Sequence, residues 1–434
     1  MQPTGPRGQK PVCPGGRKNG AQVNQRPGLW TGGFASFLVG YGLSSVGDGV
    51  LFVGVTWWVV ERSHSPTALG LVLTAATLGT LLTLPWAGVL IDRGDVLKLL
   101  AIADIWRAGI LCVPLMIMWT LGSVDVLVLA LACFLAALGS GVARPGGLAL
   151  IPRLVGRNEL VRANGAFGTV RKVALLGGPS LGGIIVAALG LEGVLVFEIL
   201  SFLVSAVIVI ALRRTVPAAT TTRNQPTTLR AGLAALRSSP SSRTSVVVVA
   251  VANVALSMYT LAVPITASHI GRGAGGLWAY AGVQSAFQAG MVAVGIVTSS
   301  RGGRRLSPST GVIGLSLACM TIGVLTGALA RSAPTLIVSG FLVGVGIMTS
   351  SILCDSCLQT GIPLELQGRV QGLSQFASMA LRPFGSTMAG VMAAGLGPGA
   401  VFVAAASLTA GLAAVVVVFR AYHTDVLEPE TPSI

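Results

Sequence analysis

Apolar and polar positions along this chain fall into long apolar blocks separated by short polar ones. Val246–Ala267, Leu306–Ala330 and Ala400–Phe419 contain no charged residue. At about 1.5 Å of rise per residue, a helix of that length crosses the roughly 30 Å of hydrocarbon in a bilayer. A helix that is apolar on every face has no side to present to water, so these blocks belong in a membrane. The pattern predicts twelve spans, at 32–60, 66–91, 97–120, 126–150, 164–189, 193–212, 244–268, 276–299, 306–330, 334–360, 368–394 and 398–419. The fold class is an all-α membrane protein.

One polar block is longer than the others. Residues 213–243 carry six arginines and no acid, and divide the spans six and six. Within them Leu229–Arg237 has the pattern of a short amphipathic helix lying on a membrane surface. The chain thus divides into a disordered tail (1–30), a six-helix bundle (31–212), a basic linker (213–243), a second six-helix bundle (244–420) and a C-terminal tail (421–434). The first tail is rich in Pro, Gly, Gln and Arg and lacks an apolar core, so no cleavable signal peptide is expected.

Composition agrees with the membrane reading. Of 434 residues 53% are hydrophobic and 10% charged, too few charges to clothe a soluble protein of this length. The 58 glycines suit helices that pack closely in lipid. The net charge of +15 points away from nucleic acid because it sits in alternate short loops, not on one face. With the N-terminus in the cytoplasm, twenty-one Lys and Arg fall on the cytoplasmic side. Only Arg62, Arg272 and Arg331 fall on the other. That bias places both termini in the cytoplasm of a cell-membrane protein. The six cysteines lie in the tail or in apolar runs, so no disulfide framework is implied. Cys354 and Cys357 form a CxxC, which without nearby histidine reads as two small packing residues in preference to a metal or redox site. No Gly-Lys pair occurs, which excludes a Walker loop.

Short motifs recur between the halves. Asp92-Arg93-Gly94 corresponds to Ser300-Arg301-Gly302 at an offset of 208, and Pro152 to Pro363 at 211. Gly88-Val-Leu-Ile-Asp92-Arg93-Gly94 with Lys98 resembles the characteristic loop between the second and third spans of the major facilitator superfamily. Gly178-Pro179-Ser-Leu-Gly182-Gly183 resembles that superfamily's antiporter-type exporter motif. Ser44–Gly49, Pro145–Asn164, Pro363–Val370 and Pro383-Phe384-Gly385 are similar to its enterobactin and macrolide exporter branch. The resemblance implies the major facilitator fold, two pseudo-symmetric six-helix bundles. An acid at the C-terminal end of its own helix, Asp92 either meets an outside partner, Arg93 or the helix that starts near Arg369, or is a solvated loop acid; the resemblance implies the contact, with the Gly88–Asp92–Arg93 loop gating the inner side. The chain departs from the pattern at Asp95, where the family prefers a base, and at Ser300, where it prefers an acid. Read physically, Pro179 removes a backbone donor and Gly178, Gly182 and Gly183 leave a thin surface, which makes this stretch either a packed kink or a hinge.

A charge at bilayer depth is costly unless it meets water or a partner, so each is a candidate site. Asp48 lies about 24 Å along the first span, with no basic residue within a turn of it. As an unpaired carboxylate it is the proton-coupling candidate; otherwise it is a structural acid bonded to serines or backbone. Asp104 and Arg107, three apart, share a helix face and read as a structural pair; Glu198 reads as structural too. Arg144 and Asp355 fall at equivalent positions near the cytoplasmic ends of spans four and ten. They form either an inner-gate ion pair or two separate headgroup charges. Arg382, Tyr259 and Phe376 are candidates for the substrate cavity, Arg382 as a receptor for an anionic group. Trp57, Trp58, Trp106 and Trp278 line a cavity or anchor at the interface.

The function expected is export of a small lipophilic drug-like or natural-product solute, such as an antibiotic or siderophore, by proton antiport. An importer or uniporter on the same fold is the alternative; a membrane enzyme or transporter-derived sensor is a more distant one. No catalytic residue, metal or cofactor is expected beyond the proton gradient. The partners expected are the solute and the lipid bilayer, with the protein working as a monomer.

Overall fold

The computed structural model describes residues 32–155, 159–214, 240–271, 273–299, 310–360 and 373–424. The N-terminal tail, the amphipathic segment 229–237 and Arg369 lie outside the described residues. The helices among the described residues include α1 (Gly32–Ser63), α2 (Pro66–Arg93), α3 (Val96–Leu121), α4 (Val126–Leu154), α5 (Leu160–Arg213), α6 (Pro240–Ile270), α7 (Ala274–Ser299), α8 (Thr310–Ala328), α9 (Ala333–Thr360), α10 (Arg382–Leu396) and α11 (Pro398–Thr424). A helical stretch at 373–380 precedes α10. Ten of the eleven are long and apolar enough to cross a membrane; α10, with 15 residues, is not.

Local chemistry sets where the helices begin and end. Ser65 caps α2, its hydroxyl accepting from the Ala68 N–H, and Pro66 follows at the first position, where a missing donor costs nothing. Asp125 caps α4 through the Leu127 N–H at 2.7 Å. Asp95 caps α3, accepting from the N–H groups of Leu97 and Lys98 at 3.1 and 3.3 Å. It also receives the Arg213 guanidinium at 2.7 Å. Partial burial works against its charge, but the Arg213 bond and the two backbone donors hold its carboxyl below the usual carboxylate range.

The 54 residues of α5 would extend about 81 Å if straight, far more than one crossing needs. The helix turns back at Gly190, whose φ of 64° and ψ of −160° lie outside the helical region. An L side chain would be strained there. The predicted spans 164–189 and 193–212 are its two arms. At Pro179 the backbone stays helical, Gly190 being the position in α5 with non-helical angles.

Side chains around each helix divide between the interior and an apolar exterior. In α3, Leu100, Arg107 and Leu111 are buried while Ile102, Ile105, Val113 and Met116 face out. The same holds on α2, α4, α5, α7, α8, α9 and α11, the distribution expected where lipid is the solvent, whereas α1 and α6 each expose one large apolar side chain, Val39 and Val247.

Packing groups α1–α5 together, chiefly α1 on α5, α2 on α4 and α3 on both α4 and α5. A second group forms from α6–α11. The groups meet mainly along two seams, α2 with α10 and α5 with α7. Close approach concentrates between the middle of the helices and the end bearing residues 63–66, 190, 271–274 and 397. Thr74 and Thr387 hydroxyls lie 3.0 Å apart, and Ser180 and Ser285 hydroxyls 2.6 Å apart. A Cβ on Gly70 would meet the Ser386 carbonyl at 3.0 Å, and one on Gly390 the Pro66 carbonyl at 3.0 Å. Two bare backbones thus make the α2–α10 seam. Toward the opposite end the approach is by a long side chain, the Lys172 ammonium reaching over Gly295.

Candidate functional site

An open recess of about 160 Å³ lies inside the first helix group. It runs from mid-helix toward the end bearing Gly32, residues 93–96 and Arg213. Tyr41, Ser44 and Asp48 of α1, Asp104 and Arg107 of α3, and Arg171 of α5 supply its polar lining. Aromatic rings wall part of it, with Tyr41 and Phe167 centroids 4.3 Å apart and Phe37 stacked on Phe167 at 6.0 Å.

Arg107 is the centre of the site. One turn below Asp104 on α3, it points inward and is only 2% exposed. Its Nη2 donates to Asp48, and its Nη1 lies 3.8 Å from Asp104. Its guanidinium stacks on the Phe202 ring, 3.8 Å from the centroid. Gly139 of α4 lets the side chain pass, since a Cβ there would stand 2.8 Å from Arg107 Cγ. Ser205 bonds Asp104, and Glu198 of the second α5 arm lies within electrostatic range, itself bonded to the Ser201 hydroxyl at 3.1 Å. Removing one partner of a buried ion pair typically costs about 3–5 kcal/mol, because the other charge is stranded.

The expectation of an unpaired Asp48 is therefore corrected. The carboxylate has a partner 59 residues away in the chain. Its other side remains open, with 48% of the side chain exposed in the recess. Asp104 and Arg107 do face each other as their spacing indicates. The helix that carries them nevertheless turns both charges toward the same recess as Asp48, and Glu198 lies enclosed behind them, within electrostatic range of Arg107. Mid-span position was the signal that marked all four; which helix faces which was not visible in the sequence.

The substrate-cavity candidates separate. Tyr259 is corrected: it is a core residue, 1% exposed, its hydroxyl 2.8 Å from that of Ser339 and its ring edge-on to Phe402 at 5.7 Å. Arg382, at the start of α10, donates through Nε and Nη2 to Asn253 Oδ1 of α6, with Nε at 2.8 Å. Among the described residues no carboxylate pairs with it. Phe376 lies in the stretch 373–380 and is 39% exposed. Of the tryptophans, Trp57 is buried, stacked on Tyr280 at 6.3 Å where α1 meets α7, whereas Trp106 and Trp278 face outward.

The glycine motif has two faces. Gly178 and Gly182 pack on α1, where added Cβ atoms would stand 2.7 Å from the Val46 carbonyl and 3.0 Å from Val50 Cα. Gly183 faces the other group, against Ala281 and Trp278 of α7. Gly88, Asp92 and Arg93 occupy the last two turns of α2, and Arg144 lies in α4. The side chains of these four lie outside the described residues, as does Arg369. Asp355 is half-buried in α9. The Arg144–Asp355 pairing and the Asp92 contact thus fall outside the described side chains. Cys354 and Cys357 are not joined in a disulfide, and no cluster of metal-ligating side chains occurs among the described residues.

The arrangement places three carboxylates around one guanidinium inside the bilayer, where Coulomb attraction is far stronger than in water. Such a cluster can exchange a proton or hold a cationic group against Asp48.

The sequence matches the Major Facilitator Superfamily over residues 37–386. It is 26% identical over 374 residues to the Multidrug efflux pump Tap of Mycobacterium tuberculosis (strain ATCC 25618 / H37Rv), covering 84% of this chain and 88% of that protein. It is also 26% identical over 382 residues to the Uncharacterized MFS-type transporter YfiS of Bacillus subtilis (strain 168), with the same coverages. The fold is similar to that of the POT family transporter PepTSo, at a TM-score of 0.72 and 10% identity over 91% of this chain and 99% of that one. A bacterial homologue of the iron transporter ferroportin, in an inward-facing state, aligns at a TM-score of 0.65 and 16% identity over 88% and 98%. Its apolar helices, the seams between its two groups and the match over most of its length agree: the chain is a multi-pass membrane transporter and belongs to the Major Facilitator Superfamily.

Proposed function

We propose that this transporter exports a small lipophilic drug-like or natural-product solute by proton antiport, alternating between access to the two sides of the membrane. The observation that carries this reading is the Asp48–Arg107 pair. It is an ionisable couple near mid-bilayer, buried on one side and open to a recess on the other. Counting α5 as two spans and adding α10 with its preceding helical stretch brings the ten candidate spans to twelve, in two six-helix halves (31–212 and 244–420) joined by the linker 213–243. The positive-inside bias supports cytoplasmic termini in the cell membrane. On that orientation the close seams lie at the outer side and the recess at the inner side, an inward-facing arrangement. The relative named as a multidrug efflux pump supports the outward direction and a drug-like cargo. In this reading the proton gradient is the only driving force, no cofactor takes part, and the monomer in lipid is the working unit.

Everted membrane vesicles holding the full-length protein test the proposal, with ethidium, a lipophilic cation, as the probe. Imposing an inside-acid gradient should drive ethidium into the vesicles, and a proton–potassium exchanger that collapses the gradient should stop it. Accumulation that is indifferent to the gradient would refute antiport, and none with ethidium or a panel of lipophilic drugs would refute the cargo class.

A further inference from the structure

Two buried side-chain atoms among the described residues have no hydrogen-bond partner: Nε of Arg107 and Oε1 of Glu198. One is a donor and the other an acceptor, and they belong to side chains within electrostatic range of each other. Leaving either unpaired costs about 1–3 kcal/mol, more where the group is charged. A bond from Arg107 Nε–H to Glu198 Oε1 would satisfy both.

Glu198 is wholly enclosed. Its Oε2 accepts from Ser201 and occupies the space a Cβ on Gly47 of α1 would take. The charged groups facing it are Asp48 of α1 and Asp104 and Arg107 of α3. These three acids share one guanidinium. Full ionisation would leave two negative charges in excess, each carrying a desolvation penalty of several kcal/mol. Asp48 can spread its charge into the recess, and Asp104 has both Arg107 and Ser205. Glu198 has neither an exposed face nor a committed cation, so an added proton is best accommodated there.

We propose that Glu198 carries the coupled proton and that Arg107 is the positioning residue that transmits its charge to Asp48. The proposal rests on the proton-antiport reading above. With Glu198 as the neutral acid, Arg107 stays on Asp48. When the Glu198 O–H bond breaks and its proton passes by way of the Asp48 carboxylate to a water in the recess, the new carboxylate draws the Arg107 Nε–H to Oε1. Asp48 then loses its partner and is free to hold a cationic group of the solute or to accept a proton. One proton leaves per shift, and no other bond changes.

Infrared difference spectroscopy of the full-length protein in lipid nanodiscs, titrated from acid to alkaline pH, reads this directly. The wild type should show the carbonyl band of a neutral carboxylic acid at neutral pH, and Glu198→Gln should lose it. Asp48→Asn removes the competing partner of Arg107, so the band should disappear at lower pH than in the wild type. Because losing the Asp48 charge lowers the Glu198 titration by itself, the movement of Arg107 is read in its guanidinium bands, which should shift together with the carboxylic band in the wild type and stay fixed for a purely structural Glu198. Absence of the band in the wild type, its persistence in Glu198→Gln, guanidinium bands that stay fixed, or an unshifted profile in Asp48→Asn would each overturn the proposal. The wild-type spectrum decides the first point even if a variant fails to fold. Gradient-driven ethidium uptake without the band would refute Glu198 alone. The band with the Asp48-dependent shift, but gradient-indifferent uptake, would refute antiport instead.

Discussion

Arg107 shows how far single residues depend on their surroundings here. Its pairing with Asp104 is a local fact, fixed by helical spacing. Its bond to Asp48 joins α3 to α1 and depends on which face of each helix turns inward. Tyr259 makes the opposite point. An aromatic with a hydroxyl in mid-span suits a cavity wall, yet here the ring fills the core of the second helix group and the hydroxyl meets Ser339. Tyr259→Phe should therefore leave ethidium transport unchanged. It should lower stability by about 0.5–1.5 kcal/mol, the worth of a typical hydrogen bond, read as a lower midpoint of thermal unfolding in detergent. A changed substrate profile with unaltered stability would return Tyr259 to the cavity. Embedded charges were legible in the sequence as candidates because hydrocarbon makes each one expensive. Their partners were not, since Asp48 and Arg107 are 59 positions apart and a helix apolar all round gives no facing direction.

Among elements, the spans were legible because their length is set by the bilayer. Predicted and observed bounds agree within a few residues for α1–α4, α6, α7 and α9. The exceptions have physical reasons. Spans five and six, read as separate, are the two arms that meet at Gly190, whose positive φ makes the turn between them. Arg213 reads as the first residue of the linker, but it closes α5 and holds Asp95 at the start of α3. Asp95, which looked like a departure from a basic motif, is a helix cap and the anchor for Arg213. Its folded-state pKa is depressed, so the bond to Arg213 contributes its full stability above about pH 4, the ordinary aspartate value. That contribution is lost as pH falls through the lower folded value. Asp95→Asn keeps the cap but not the ion pair. It should be less stable than the wild type at pH 7 by at most about 1 kcal/mol, because Arg213 is half exposed and solvent screens the pair. The gap between the two thermal midpoints should close on acidification below pH 4. A gap that stays constant with pH would show the ion pair contributes nothing.

At the scale of the molecule, two groups of helices meet along glycine-lined and hydroxyl-lined seams that are closest toward one end. Internal repeats pointed to two halves, but not to the end at which they touch, because seam contacts such as Thr74 to Thr387 span 313 positions. Small residues at a seam give the backbones close contact without interlocking side chains, which suits surfaces that must part and re-form. Alternating access requires these seams to open during each cycle. The most direct measurement is to lock one. In a background whose six cysteines are replaced by alanine, Thr74→Cys with Thr387→Cys should be joined by an oxidant or a short thiol cross-linker. Joining should abolish gradient-driven ethidium transport, and reduction should restore it, while either single variant stays active throughout. Full transport with the seam covalently closed would contradict the account.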